Sequence, residues 1–232
     1  MTRHTVAKMA IMSLVAGLLL TGCAPPRPNE VTLPRVFWDD DIEPTSPLEN
    51  DPLVTFARTA TAAEAYAMNT GNFAFPQLID SYGEDWVNSL YEQYLDQRTE
   101  DATWVYPGPS PWQPLRIERD PTPENVNARI LVVCGNVLNW LINAEDPTNT
   151  GTFDRTKTTT GYIHINHYPE EGPDSYAVVD RNYGGSGFGN FGTGEPCDGS
   201  QVPVGRYQTT PPFPRVPVTE APYPPLPTSD DQ

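Results

Sequence analysis

The chain has 232 residues, with 14 Lys plus Arg against 30 Asp plus Glu and a formal net charge of −16. A chain this acidic repels phosphate backbones and contains no basic stripe, so we expect no nucleic-acid partner. Its 27 prolines crowd both ends, which leaves roughly 150 central residues to build the core of a single domain.

The N-terminus has the organisation of a secretory signal peptide. Arg3 and Lys8 precede an apolar run over residues 9–20, which is shorter than the about 20 apolar residues that span a bilayer. The sequence Leu20-Thr21-Gly22-Cys23 then resembles the lipobox of bacterial lipoproteins. That resemblance implies a lipid on the thiol of Cys23, cleavage just before it, and a mature chain anchored outside a bacterial cell membrane. The alternative is an ordinary secreted protein.

Loss of the predicted signal peptide, residues 1–22, leaves 12 basic against 30 acidic residues, a balance of −18. An acidic chain is not attracted to anionic lipid headgroups, so its attachment to a membrane would depend on the acyl chains on Cys23. Cys134 and Cys197 then remain as the one pair in an oxidising compartment, and we predict a disulfide between them. The alternatives are two unpaired thiols, or a catalytic cysteine, for which the sequence shows no neighbouring histidine.

Residues 23–50 are predicted to form a Pro- and acid-rich tether, because such segments stay extended and solvated. Asp39-Asp40-Asp41 lacks the alternate-position spacing of a calcium loop and is interpreted as a solvated charge run. Phe37-Trp38 is the only apolar spot in this segment and the part that would fold back on the domain.

The globular domain is predicted over residues 51–200. Asp51-Pro52 is typical of a helix N-terminus, and an apolar stripe at helical spacing follows until Asn69-Thr70-Gly71 ends it. Residues 75–79 are predicted to be a short apolar turn. A second helix is predicted over residues 84–97, with a wide apolar face.

Beyond Arg98 the apolar spacing changes to that of strands, for example with Ile163 and Ile165 on one face and Tyr162 and His164 on the other. Helices followed by strands in series predict an α+β fold, with N-terminal helices packed on a curved antiparallel sheet. The predicted strands cover residues 103–106, 115–119, 128–134, 137–142, 158–168 and 175–183.

Beyond the last predicted strand, the chain contains a glycine-rich segment and then a proline-rich segment. Residues 187–192 match GxGxxG, but no helix can follow them, so we predict a flexible loop and no nucleotide or other cofactor. Residues 201–232 are predicted to be a disordered Pro-rich tail.

His164 and His167 have HxxH spacing, but on a strand they point to opposite faces, so we predict no metal site.

Residues 51–183 resemble an NTF2-like (SnoaL-type) domain, a cone of helices packed into a curved antiparallel sheet. The resemblance rests on the order of helices and strands and on the cysteine-bearing strand Ile130–Cys134. Enzymes of this family place an acid–base Asp or His with Tyr inside the cone. The candidates for a pocket of this kind are Asp80, Tyr106, His164 and Asp180, and no motif assigns any of them a catalytic role.

Three function classes follow from these observations. The leading hypothesis is a non-catalytic, surface-anchored lipoprotein that binds a small apolar molecule or a protein partner. The alternatives are a lipid-tethered isomerase, dehydratase or hydrolase, and an envelope or phage-exclusion interaction protein without a pocket. His164 and Asp180 within hydrogen-bond reach in a cavity would favour the enzyme. A cone filled by Trp86, Trp104 and Trp140 would favour the interaction protein.

Overall fold

A computed structural model describes residues 31–99, 104–135, 142–143, 152–173, 175–182 and 195–208. Cys23 and its lipobox, the GxGxxG loop and the Pro-rich tail beyond residue 208 lie outside these residues. The described elements, in chain order, are β1 (Val36–Trp38), α1 (Pro52–Thr70), α2 (Pro76–Tyr82), α3 (Glu84–Thr99), β2 (Trp104–Val105), β3 (Trp112–Arg119), β4 (Ala128–Gly135), β5 (Ile142–Asn143), β6 (Thr159–His167), β7 (Tyr176–Asn182) and β8 (Gly205–Tyr207).

The predicted α+β class is confirmed. Strands β3, β4, β6 and β7 form an antiparallel sheet in that order, while β1 pairs with β8 and β2 with β5. Helices α1 and α2 both contact β7, and α3 packs against α1 and α2. The helices therefore cover one face of the sheet, and the core lies between the two layers.

Helix α1 begins and ends where local chemistry predicts. The Asp51 carboxylate accepts a 2.9 Å hydrogen bond from the backbone N–H of Leu53, and Pro52 supplies a first residue that needs no hydrogen bond of its own. Gly71 ends the helix at φ +68°, a left-handed conformation that glycine adopts without a Cβ penalty. Its N–H donates 2.8 Å to the carbonyl of Ala67.

Within the predicted turn, residues 75–79, all but Phe75 belong to the first part of helix α2. Pro76 occupies the first helical position, and Gly83 follows the last one. A helix of seven residues is too short to show a helical period in the sequence. Its stability comes instead from packing, because Phe75 and Leu78 are fully buried against the core.

The sheet has two distinct faces. The predicted alternation along β6 is confirmed, because Ile163 and Ile165 pack in the main core whereas Tyr162 belongs to a separate cluster. Neighbouring β4 alternates in the same way. The inner face carries Leu131, Val133, Ile163, Ile165 and Val178, and the outer face carries Ile130, Val132 and Tyr162.

Residues 31–50, which we name the strap, are folded onto the domain instead of forming a solvated tether. Strand β1, which contains the predicted fold-back site Phe37-Trp38, pairs with β8. Asp39 pairs with Arg206 at 2.6 Å and Asp40 with Arg155 at 2.9 Å. The predicted solvated charge run is therefore wrong for Asp39, whose side chain is 31% exposed beside Arg206, whereas Asp40 pairs with Arg155 but remains 69% exposed, as predicted. The folded unit extends beyond the predicted limits, residues 51 and 200, at both ends.

The predicted disulfide is confirmed. Cys134 at the end of β4 is bonded to Cys197, 63 residues later, with a Cα–Cα distance of 5.9 Å. The segment around Cys197 also bonds to the start of β6, where the N–H of Thr160 donates 2.8 Å to the carbonyl of Glu195. The disulfide therefore fixes the chain against the sheet shortly before it enters β8.

Candidate functional site

The first two predicted pocket residues lie in different places. Asp80 is exposed on α2 and lines a surface groove of about 540 Å³ with Phe56 of α1 and Glu171 of the β6–β7 turn. Tyr106 is buried after β2, where its backbone N–H and carbonyl pair with the side chain of Asn69, both at 2.8 Å. Tyr106 thus stands at the C-terminal end of α1, away from that groove.

His164 and Asp180 are neighbours in the register of β6 and β7 on the outer face of the sheet. Asp180 accepts a 2.8 Å hydrogen bond from the hydroxyl of Tyr162. His164 Nε2 lies 2.9 Å from an oxygen of Asp120, but without the alignment of a hydrogen bond. The structure therefore does not bring the four predicted residues together in one interior cavity, and the two that are neighbours each have another close contact.

The ionisable groups of this outer face influence one another. Burial of Tyr162, reinforced by its hydrogen bond to Asp180 and the negative charge there, raises its pKa to about 12. Burial acts to raise the pKa of Asp120, but hydrogen bonds from Thr122 and Asn125 outweigh it and hold that pKa below its ordinary value. The polar groups of this cluster are thus stabilised by hydrogen bonds from neighbouring side chains and backbone.

The interior of the domain contains an ion pair that sequence reasoning missed. Glu64 of α1 is buried, pairs with Arg181 of β7, and accepts a 2.8 Å hydrogen bond from the hydroxyl of Tyr82 on α2. Burial of Tyr207, together with the nearby charge of Glu64, raises the pKa of that tyrosine. The available signal was the position of Glu64 within the apolar stripe of α1. Protein donors engage both carboxylate oxygens, so this cluster holds α1, α2 and β7 together.

A second feature that the sequence did not reveal is a half-open cleft of about 220 Å³, which we name the strap cleft. The strap forms one wall, α1 forms a second, and the segments before β3 and β8 form the rest. The lining residues are mainly apolar. They are Val36, Trp38, Pro44, Ala62, Pro109, Pro203 and Gly205, together with the polar residues Glu49, Arg58 and Ser110.

Gly205 allows the strap to approach β8 closely enough to form this cleft. A Cβ atom at position 205 would lie 2.4 Å from Cγ1 of Val36 and 2.9 Å from Cζ3 of Trp38. Both distances are far below van der Waals contact, so a larger residue would push the strap outward. The β1–β8 pairing and the Asp39–Arg206 ion pair then fix the strap in this position.

Arg58 lies at the polar end of the strap cleft with its charge compensated. Its Nη2 and Nε atoms donate 2.7 Å and 3.2 Å hydrogen bonds to the two carboxylate oxygens of Glu49. Nη1 donates 2.9 Å to the carbonyl of Trp112, and the guanidinium carbon lies 3.7 Å from the centroid of that indole ring. This bidentate and stacked arrangement holds α1, the strap and β3 together.

Ser110 supplies the other polar group. The residue as a whole is only 5% exposed, and it lines the strap cleft. A ligand that fills the strap cleft would cover this side chain, and a covered hydroxyl without a hydrogen-bond partner costs free energy. The strap cleft thus combines an apolar wall with the hydroxyl-bearing side chain of Ser110. No local sequence pattern could have indicated this, since its residues come from four separate segments.

Within the described ranges, no three His, Cys, Asp or Glu side chains are grouped closely enough to hold a metal ion. In that same part of the chain, none of the helices is both long enough and apolar enough to cross a membrane. Comparison of the chain with protein-family models, with characterised proteins and with solved structures finds no match.

Proposed function

We propose that this chain is an extracytoplasmic lipoprotein, anchored to a bacterial cell membrane through Cys23, that binds a small apolar molecule in the strap cleft. The observation that carries the binding proposal is the strap cleft itself, which combines a mainly apolar wall with the side chain of Ser110. Ligand sites in proteins typically have this composition, with apolar walls and a few convergent polar groups that fix orientation.

The size of the strap cleft limits what it can hold. Its volume is about 220 Å³, whereas sites for drug-sized ligands are about 300–1,000 Å³. An engineered apolar cavity of about 150 Å³ takes up benzene. A molecule of one or two fused rings fits, and a folded protein partner does not. This favours a small molecule over a protein as the occupant.

The proposed anchor and the strap cleft are close together along the chain. Cys23 and Val31, the first residue of the strap, are eight positions apart, which covalent geometry limits to roughly 29 Å at full extension. A lipid on Cys23 would therefore hold the strap cleft close to the membrane surface. Because the strap forms a cleft wall, the anchor is attached directly to the proposed binding element.

We also propose that helices α1 to α3 and the four-stranded sheet form an NTF2-like cone. Helices that precede an antiparallel sheet and cover its inner face support this assignment. In this protein the interior between the layers is occupied by apolar side chains and by the Glu64–Arg181 pair. The proposed ligand site therefore lies beside the cone, where the strap crosses it.

The proposal is tested by native mass spectrometry of the protein extracted from its own membrane in mild detergent, without reductant. We expect a mass for Cys23–Gln232 plus acyl groups, less two hydrogens for the disulfide, and an additional bound species of small-molecule mass. Cys23→Ser should leave the protein without acyl groups and in the soluble fraction. An unprocessed, unlipidated wild-type chain would contradict the anchor, and a chain that carries no ligand and binds no apolar probe would contradict the binding function.

A further inference from the structure

We infer that the ligand of the strap cleft is a neutral aromatic alcohol, in the class of phenols and bicyclic aromatic alcohols. This inference rests on the proposed binding function and names its ligand class. Three features of the strap cleft carry it: a compensated charge, rigid rings in its walls, and the hydroxyl of a serine that lines it.

The compensated charge argues for a neutral ligand. Both carboxylate oxygens of Glu49 accept hydrogen bonds from Arg58, and the third nitrogen of Arg58 donates to the carbonyl of Trp112. The two side chains are only 15% and 21% exposed. A charged ligand would lose its hydration without gaining a free counter-charge, which is strongly unfavourable. A neutral ligand leaves the ion pair undisturbed.

The rigid rings of the walls argue for an aromatic ring. Trp38 contributes a flat indole, and Pro44, Pro109 and Pro203 contribute rigid saturated rings from three separate segments. Such rigid groups pack closely against the face or edge of an aromatic ring and lose little conformational entropy when they do so. The volume of about 220 Å³ is of the size that one or two fused rings occupy.

The hydroxyl of Ser110 argues for an alcohol. This residue is 95% buried and lines the strap cleft, so a ligand that fills the strap cleft would cover its hydroxyl. A ligand hydroxyl both donates and accepts, so it can pair with Ser110 whichever way the serine hydroxyl rotates. The bond also replaces the hydration that the serine hydroxyl would lose when the ligand covers it.

The inference is tested by calorimetric titration of the full-length mature protein with four probes. These are 1-naphthol, its saturated counterpart decahydro-1-naphthol, naphthalene, which lacks the hydroxyl, and the anion 1-naphthoate. The same titrations are run on Ser110→Ala, on Ala62→Leu, which narrows the strap cleft from α1, and on the control Ser89→Ala. Ser89 is exposed on α3, outside the strap cleft.

We expect 1-naphthol to bind about two- to tenfold more tightly than its saturated counterpart. Its affinity should also exceed that of 1-naphthoate by about tenfold or more. Ser110→Ala should weaken 1-naphthol about three- to tenfold and leave naphthalene unchanged. Ala62→Leu should weaken both, and Ser89→Ala neither.

Each contrary outcome overturns a defined claim. Equal binding of 1-naphthoate would mean that Arg58 is available to anions, and equal binding of the saturated alcohol would remove the aromatic preference. Loss of naphthalene affinity in Ser110→Ala would show that the serine acts by shape instead of by hydrogen bonding. If no probe binds but the natively extracted protein carries another small molecule, the ligand class fails while the proposed function stands. If neither is seen, both fail.

Discussion

Arg181 on β7 reaches into the core and pairs with Glu64 on α1, and the hydroxyl of Tyr82 on α2 donates a 2.8 Å hydrogen bond to the same carboxylate. One buried acid thus connects both helices that contact the sheet edge. A buried pair of charges contributes little over a packed apolar pair, yet the loss of one partner leaves the other charge buried alone.

Glu64→Gln should therefore destabilise the protein by about 3–5 kcal/mol, because Arg181 loses its counter-charge in the core. Urea unfolding followed by circular dichroism measures this. The control is Glu118→Gln, which breaks the pair of Glu118 with Arg116 on β3, where the side chains are 43% and 57% exposed. That change should cost less than about 1 kcal/mol. Equal costs for the two variants would show that the buried pair is not a stabilising contact of the core.

The Cys134–Cys197 disulfide closes a loop of 63 residues. In the chain-entropy model its loss costs about 4 kcal/mol, because the unfolded chain regains conformational freedom. We expect the free energy of unfolding of the Cys134→Ala/Cys197→Ala double variant to be lower by about 4 kcal/mol. The double variant should therefore unfold at a lower urea concentration than the wild type. The wild-type protein in reductant should approach the double variant, while reductant should leave the double variant unchanged. A wild-type midpoint insensitive to reduction would contradict the stabilising role.

The parts of the fold that the sequence predicted are those set by neighbouring residues. The Asp51 cap, the Gly71 stop and the alternation around Ile163 each depend on a few consecutive side chains, and the structure contains all three. The helical character of residues 76–82 was missed because this short helix depends on burial of Leu78 against the rest of the domain. Local pattern carries no information on such a contact.

The candidate site was much less accessible to sequence reasoning. The pairs of Asp39 with Arg206 and of Asp40 with Arg155 were not predicted, because each arginine lies more than a hundred residues from its acid. Likewise, the strap cleft depends on Ser110 and on a strap whose composition is typical of a linker. The polar residues chosen from the sequence were chemically suitable, but their positions depend on the register of the sheet.

The strap should open independently of the rest of the domain when its ion pairs are weakened. Arg35 is the one Lys or Arg in residues 31–50, and its carbonyl accepts a 2.9 Å hydrogen bond from Gln208. Trypsin needs an extended, unpaired backbone, so cleavage after Arg35 reports local opening. Arg206→Met, which removes the partner of Asp39, should speed this cleavage up to about fivefold.

Arg116→Met is the matched control for the strap experiment, because Arg116 pairs with Glu118 at an exposed position on β3. Cleavage after Arg35, followed by the mass of the released N-terminal fragment, should proceed at the wild-type rate in this variant. High salt should accelerate the wild-type cleavage towards the Arg206→Met rate, since screening weakens partly exposed pairs. If the wild type, Arg206→Met and Arg116→Met are all cut after Arg35 at the same rate, the Asp39–Arg206 ion pair does not hold the strap in place.

Tyr162 should lower the stability of the protein at alkaline pH. Burial and the hydrogen bond to Asp180 raise its pKa from 10.0 to about 12 in the folded state. The folded state therefore holds this proton more tightly, so the stabilisation is complete below pH 10.0 and is lost as the pH rises towards 12. In Tyr162→Phe, the tyrosinate absorbance curve should lose one tyrosine that ionises near pH 12. The free energy of unfolding of this variant should also fall less steeply than that of the wild type between pH 10.0 and about 12. Asp180→Asn keeps the tyrosine but removes the negative charge, so Tyr162 should ionise at lower pH there. An unchanged titration in Asp180→Asn would show that Asp180 does not contribute to the shift.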